Sequence, residues 1–174
     1  LPLELIPDIL LIKDYAEVVF FHFIKIREKE DDSPIEATIR RFQEFVYKRI
    51  SPDLFESENV VREAILHSGG SFRELLRLLQ NTAYEADIND RQITADALRR
   101  AIELLASDAR ILTEKELEIL KKLKENNEKR LVTPYMDGMF RLLEQVVIME
   151  YNDGNYKRVN PIIEKSEIYK QYVG

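Results

Sequence analysis

Apolar residues recur at three- and four-residue intervals over most of this chain, the spacing that gathers them on one side of an α-helix. Ile35, Ile39, Phe42, Val46 and Ile50 form one such face, and Ser33-Pro34-Ile35-Glu36 ahead of them reads as a capping box with proline at the first helical position. A helix is predicted from there to Ser51-Pro52, where proline stops it. A second runs from Ser57 to His67 with Val60, Val61, Ala64 and Ile65 inward, and Ser68-Gly69-Gly70 breaks the chain. Ser71-Phe72-Arg73-Glu74 is another capping box. It opens a helix whose Phe72, Leu75, Leu76, Leu78, Leu79, Ala83 and Ala86 give a wide apolar face. After a polar turn over Asp87 to Gln92, Ile93-Thr94 starts a fourth helix carrying Ala97, Leu98, Ala101, Ile102 and Leu105. Four helices on short loops predict a compact bundle.

The pattern restarts after Ser107. Thr113-Glu114-Lys115-Glu116 is a third capping box, followed by Leu117, Leu120 and Leu123 on one face. Leu131 to Thr133 reads as a short strand, and Pro134 to Gln145 as a helix with Met136, Met139, Phe140 and Leu143 inward. Val146 to Tyr151 and Tyr156 to Asn160, joined by Asn152-Asp153-Gly154-Asn155, predict a β-hairpin, because Asp-Gly readily supplies the positive φ of a tight turn. Helix, helix, hairpin is the outline of a winged helix. The predicted fold class is therefore mainly α: a four-helix bundle over residues 33–107, then a small winged-helix-like unit over 108–174. Ahead of both, Val18 to Ile26 is dense in β-branched and aromatic residues and reads as a buried strand with few partners later in the chain. The chain opens on Leu1, and residues 1–32 read as the tail of something larger.

Composition narrows the chemistry. Only five Gly and six Pro among 174 residues favour long helices over a sheet that turns every ten residues. With no Cys, disulfides, thiolate zinc sites and cysteine nucleophiles are excluded; two His, His22 and His67, leave little for a histidine metal site and read as structural. The longest uncharged apolar stretch, Val18 to Ile24, is far below the roughly 18 residues of a membrane span, and no basic-then-apolar signal opens the chain. A soluble, cytoplasmic protein with no membrane partner is expected. None of the glycines stands in a Gly-x4-Gly-Lys-Ser/Thr frame, so this chain does not cradle a nucleotide phosphate in that way by itself.

The run Ser68-Gly69-Gly70-Ser71-Phe72-Arg73-Glu74-Leu75-Leu76-Arg77-Leu78-Leu79, with Ala83 and Ala86 late in the helix and Ile93-Thr94 leading to Ala101-Ile102, resembles the C-terminal helical lid of AAA+ and STAND-like P-loop ATPases of the origin-recognition type. The resemblance covers residues 33–103, and a winged helix behind the lid fits the same architecture. It implies that residues 1–32 end a nucleotide-binding core whose Walker segments lie upstream, and that the parent protein binds ATP with Mg2+ and hydrolyses it. Arg73 then matches the sensor-2 arginine that approaches the γ-phosphate, with Gly69 and Gly70 turning the backbone beside it and Arg77 as its substitute one turn on. A planar, permanently charged fork suits that role. The other reading of Arg73 is a surface arginine that covers apolar area or pairs with a carboxylate. Arg49, at the end of the first helix in Lys48-Arg49-Ile50, reads foremost as a cap on that helix's carbonyls.

Charge bears on what the second unit touches. The whole chain carries a net −6, and Thr113 to Gly174 holds eleven acidic and eleven basic residues, so no field draws a polyanion. The helix expected at Pro134 to Gln145 has Arg141 against Asp137 and Glu144, leaving Lys157 and Arg158 on the wing as candidate nucleic-acid contacts. A protein partner, the upstream core or a second copy is favoured over DNA. Tyr151, Tyr156, Tyr169 and Tyr172 read as packing and interface residues. The expected function is a lid and winged-helix region that senses ATP through Arg73 and relays lid closure to a partner. Its rivals are a non-enzymatic helical interaction module and, third, a DNA-binding regulator.

Overall fold

The computed structural model describes residues 23–86, 92–107, 112–125, 136–151 and 156–174. Among them are seven α-helices and one antiparallel hairpin, so the protein is mainly helical with a small wing. The helices are α1 (Glu36–Tyr47), α2 (Glu58–His67), α3 (Phe72–Glu85), α4 (Ala95–Ser107), α5 (Glu114–Glu125), α6 (Met136–Glu144) and α7 (Glu167–Tyr172); the strands are β1 (Ile148–Tyr151) and β2 (Tyr156–Val159). Two compact units result. The larger holds residues 24–86 and 92–107, together with residues 160–172 and Gly174; the smaller holds Phe23, residues 112–125, α6, β1, β2 and Val173. Against the expected domains 1–32, 33–107 and 108–174, residues 24–32 and 160–172 group with the helical bundle.

In the larger unit, the periodic apolar residues meet as predicted. Ile39, Phe42 and Val46 of α1, Val60, Val61, Ala64 and Ile65 of α2, Leu75, Leu78 and Leu79 of α3, and Leu98, Ala101, Ile102 and Leu105 of α4 are buried together. Each of the Val, Leu, Ile and Phe side chains among them contributes roughly 1.5–3 kcal/mol by leaving water. Ile26 and Ile162 complete this core from opposite ends of the sequence. Ile162 precedes a single 3-10 turn, Ile163–Lys165, that packs on α4 and on α7.

The start of α1 departs from the expected capping box. The Ile35 amide donates to the Ile26 carbonyl and the Glu28 amide to the Ser33 carbonyl, so Ser33-Pro34 forms the return limb of a tight loop. Asp32 at φ +59°, the Asp31 carboxylate on the Ser33 amide and the Arg27 guanidinium on the Asp32 carbonyl close it. Ile35 remains extended and the helix begins at Glu36. Phe23 to Ile26 forms no strand; residues 18–22 of the predicted strand, and His22 with them, lie outside the described residues.

The smaller unit folds as helix, helix, hairpin. α5 begins with a reciprocal cap: the Thr113 hydroxyl accepts from the Glu116 amide while the Glu116 carboxylate accepts from the Thr113 amide at 2.7 Å. Leu117, Ile119, Leu120 and Leu123 are buried. Gly138 of α6 brings the two helices close, since a Cβ there would stand 2.5 Å from Ile119 Cδ1. α6 ends on Val146 at φ +58°, whose amide reaches the Leu143 carbonyl while that of Val147 reaches Leu142, a closing pattern that satisfies the last carbonyls. Ile148 pairs with Val159, Met149 with Arg158, Glu150 with Lys157 and Tyr151 with Tyr156. The Asn152–Asn155 turn, the Leu131–Thr133 strand and Pro134 lie outside the described residues. No helix among the described residues is long and apolar enough to cross a membrane.

Candidate functional site

The corner between α2 and α3 is built from four small residues. Ser68 donates its hydroxyl to the Ile65 carbonyl and accepts the Gly70 amide, and Gly69 and Gly70 follow at φ +60° and +82°. Only glycine takes two such values in succession without strain. The Gly70 carbonyl accepts the Ile24 amide at 3.1 Å, and a Cβ on Gly70 would lie 1.8 Å from the Ile24 carbonyl oxygen. Ser71 then caps α3, its hydroxyl accepting from the Glu74 amide. The expected capping box is present on its serine side. Glu74 is buried and points one carboxylate oxygen at Arg77, 3.5 Å away.

This corner fixes where the sequence-predicted site residues stand. Arg73 lies in the first turn of α3, exposed, and makes no hydrogen bond or ion pair with any described residue. Arg77 follows one turn later and is turned toward Glu74. Gly69 and Gly70 are beside them in sequence but are buried, with the Gly70 amide already donated to Ser68. Arg49 caps its own helix: one guanidinium nitrogen donates to the Phe45 carbonyl at 2.9 Å, and the guanidinium carbon lies 3.7 Å above the Phe45 ring. Lys157 is ion-paired across the hairpin with Glu150 at 2.7 Å, and Arg158 stands opposite Met149.

Sequence periodicity assigned Phe72 and Leu76 to the core, and both are exposed. Phe72 stacks its inner face on buried Phe42, with centroids 4.4 Å apart and planes 14° apart, and its ring centroid is 4.5 Å from that of Phe45. The signal available in the sequence was the width of the α3 apolar set: Phe72, Leu75, Leu76, Leu78, Leu79 and Ala83 span more arc than one neighbour covers. Ala83 is likewise exposed, while Thr82 goes inside, bonding its hydroxyl to the Leu78 carbonyl.

Other charged groups are engaged locally. Arg62 grips Glu36 through two 2.6 Å bonds, which hold that carboxyl below its ordinary range, at one side of a cleft of about 420 Å³ also lined by Arg40, Gln43, Glu58 and Asn59. Burial pushes the His67 imidazole down, against its bond to the Glu63 carbonyl, and nearby Lys165 and Arg27 push the same way. Buried Glu116 has Arg141 Nε 2.8 Å from Oε1, an ion pair too poorly aligned to be a hydrogen bond. Among the described residues no three His, Cys, Asp or Glu side chains are grouped to hold a metal.

No family model matches the chain, and no curated protein or solved structure matches it.

Proposed function

We propose that the chain is the helical lid and winged-helix-like region of an AAA+/STAND-like P-loop ATPase, in which Arg73 senses ATP and lid closure passes to a partner. The observation that carries the reading is Arg73 itself: a cation with no described partner, set in the first turn of a capped helix whose corner is held by Gly69 and Gly70. A free guanidinium is available for phosphate oxygens, whereas Arg77 would first have to leave Glu74. Contact with ATP from this chain therefore narrows to Arg73. The two glycines serve by shaping the corner, since the Gly70 amide is taken by Ser68. ATP with Mg2+ would supply the phosphoryl group and its charge; the part of this chain is to bring one positive fork to it. The site would act in the cytoplasm and depends on a Walker A segment upstream in the same protein.

The test is Arg73→Ala in the parent protein. ATP turnover is expected to fall by about 10-fold or more, with nucleotide binding weakened less. Unchanged turnover and unchanged nucleotide-dependent partner binding would overturn the assignment, as would a parent reading frame without Gly-x4-Gly-Lys-Ser/Thr. A second reading, a non-enzymatic interaction module, is favoured by one observation: the α3 start exposes aromatic and aliphatic surface beside its arginines. The DNA-binding reading has less behind it, because Lys157 is ion-paired with Glu150.

A further inference from the structure

Phe72 and Leu76, one turn apart on α3, keep 38% and 43% of their surface in solvent. Neither is loose. Phe72 is seated on Phe42 and Phe45, and the Arg49 guanidinium, bonded to the Phe45 carbonyl, has its carbon 3.7 Å from the Phe45 ring centroid. The result is a shelf of aromatic and aliphatic surface, its Phe72 seated in place, beside the Arg49 guanidinium. Arg and large aromatic residues are the types enriched where proteins bind one another, and a pre-ordered shelf loses little side-chain freedom on binding.

The charge around this shelf differs in sign from the rest of the chain. Residues 41–49 and 72–77 carry five basic residues, Arg41, Lys48, Arg49, Arg73 and Arg77, against Glu44 and Glu74. Glu74 is buried, while all five basic residues are exposed. The chain as a whole carries −6. A long polyanion such as duplex nucleic acid or an anionic bilayer meets that net repulsion at a distance; a short segment with matched local charge meets only the basic rim.

The geometry points to a docking surface for an acidic amphipathic helix of a protein partner, its apolar side on Phe72 and Leu76 and its carboxylates toward Arg49 and Arg41. Helix-in-shelf recognition needs an apolar stripe of two or three anchors with complementary charge at the edges, and both are present here. The surface goes beyond the nucleotide reading. It stands on Arg49 and Leu76, which have no part in that reading, so either can fail alone.

The test uses the full chain and a synthetic helical peptide of about sixteen residues with leucines at helical spacing and glutamates elsewhere, followed by fluorescence anisotropy. A Kd of about 10–100 µM, weakening as salt is raised, is expected. Leu76→Asp and Arg49→Glu should each weaken binding roughly tenfold or more while leaving the circular dichroism spectrum unchanged. The same peptide with lysine for glutamate should not bind. The proposal is overturned if the glutamate peptide shows no binding at about 1 mM, if both peptides bind alike, or if the two variants bind it like the parent protein. It is also overturned if phosphatidylserine vesicles or duplex DNA bind with the same sensitivity to the variants. Concentration-dependent sedimentation abolished by Leu76→Asp would assign the surface to a second copy instead.

Discussion

Gly70 combines two constraints that are separable by mutation. Its φ of +82° disfavours any side chain, and the Ile24 carbonyl oxygen occupies the space a Cβ would need. Gly69, at φ +60°, has the first constraint as well. Gly70→Ala is expected to cost about 3 kcal/mol or more and Gly69→Ala about 1–2 kcal/mol, read from urea unfolding midpoints. Equal costs would show that the approach to Ile24 matters little. The sharp turn at Gly69-Gly70 was legible in the sequence, because a pair of glycines before a capping box needs that backbone. The segment lying against it was not, since nothing local links residue 70 to residue 24. Arg73 shows the same division: its place in the first turn follows from the cap, whereas its lack of a carboxylate partner depends on where every other charge settles.

Three tetrapeptides in this chain have the form of a capping box, and they behave differently. Ser71 and Thr113 cap α3 and α5 through their hydroxyls, and Glu116 completes the second box by accepting the Thr113 amide. Ser33 caps nothing, because its carbonyl and the Ile35 amide are committed to the loop against residues 26 and 28. Glu36, the fourth residue of that box, turns instead to Arg62. Ser71→Ala should therefore destabilise the helical unit by about 1 kcal/mol, whereas Ser33→Ala should change it by less than about 0.5 kcal/mol. A larger loss for Ser33→Ala in thermal unfolding would show that the bond between its side chain and the Asp31 carboxylate holds the loop more strongly than this. The helix spans themselves were legible to within a few residues, since periodicity, proline and glycine act locally. The α3 face was drawn too wide, because periodicity marks which residues are apolar and cannot say which of them the neighbouring helices reach.

Over the whole molecule, the telling feature is the path of the chain's end. Residues 160–172, which follow β2, leave the smaller unit: Ile162 is buried in the core of the larger one, and the 3-10 turn that follows packs on α4. Ile162→Ala should lower the stability of the larger unit by about 2–4 kcal/mol through the cavity it leaves. Hydrogen exchange should show the loss at amides of α2 and α4, including Val61, Ile65 and Ile102, with Met149 and Tyr151 in the hairpin keeping their protection. Equal loss at the hairpin would mean that the two units unfold together.

The sequence by itself determined the helical class, the positions of most helices, the presence of a hairpin near the chain's end, and the exclusion of cysteine chemistry. These follow from interactions spanning a few residues, which periodicity, capping and turn preferences record directly. Only the tertiary structure decided that Ser33 serves a loop, that Phe72 and Leu76 remain in solvent beside arginines, and that residues 160–172 belong with the helical bundle. Each of those outcomes depends on segments far apart in sequence competing for the same buried surface and the same hydrogen bonds, and no local pattern encodes which of them wins.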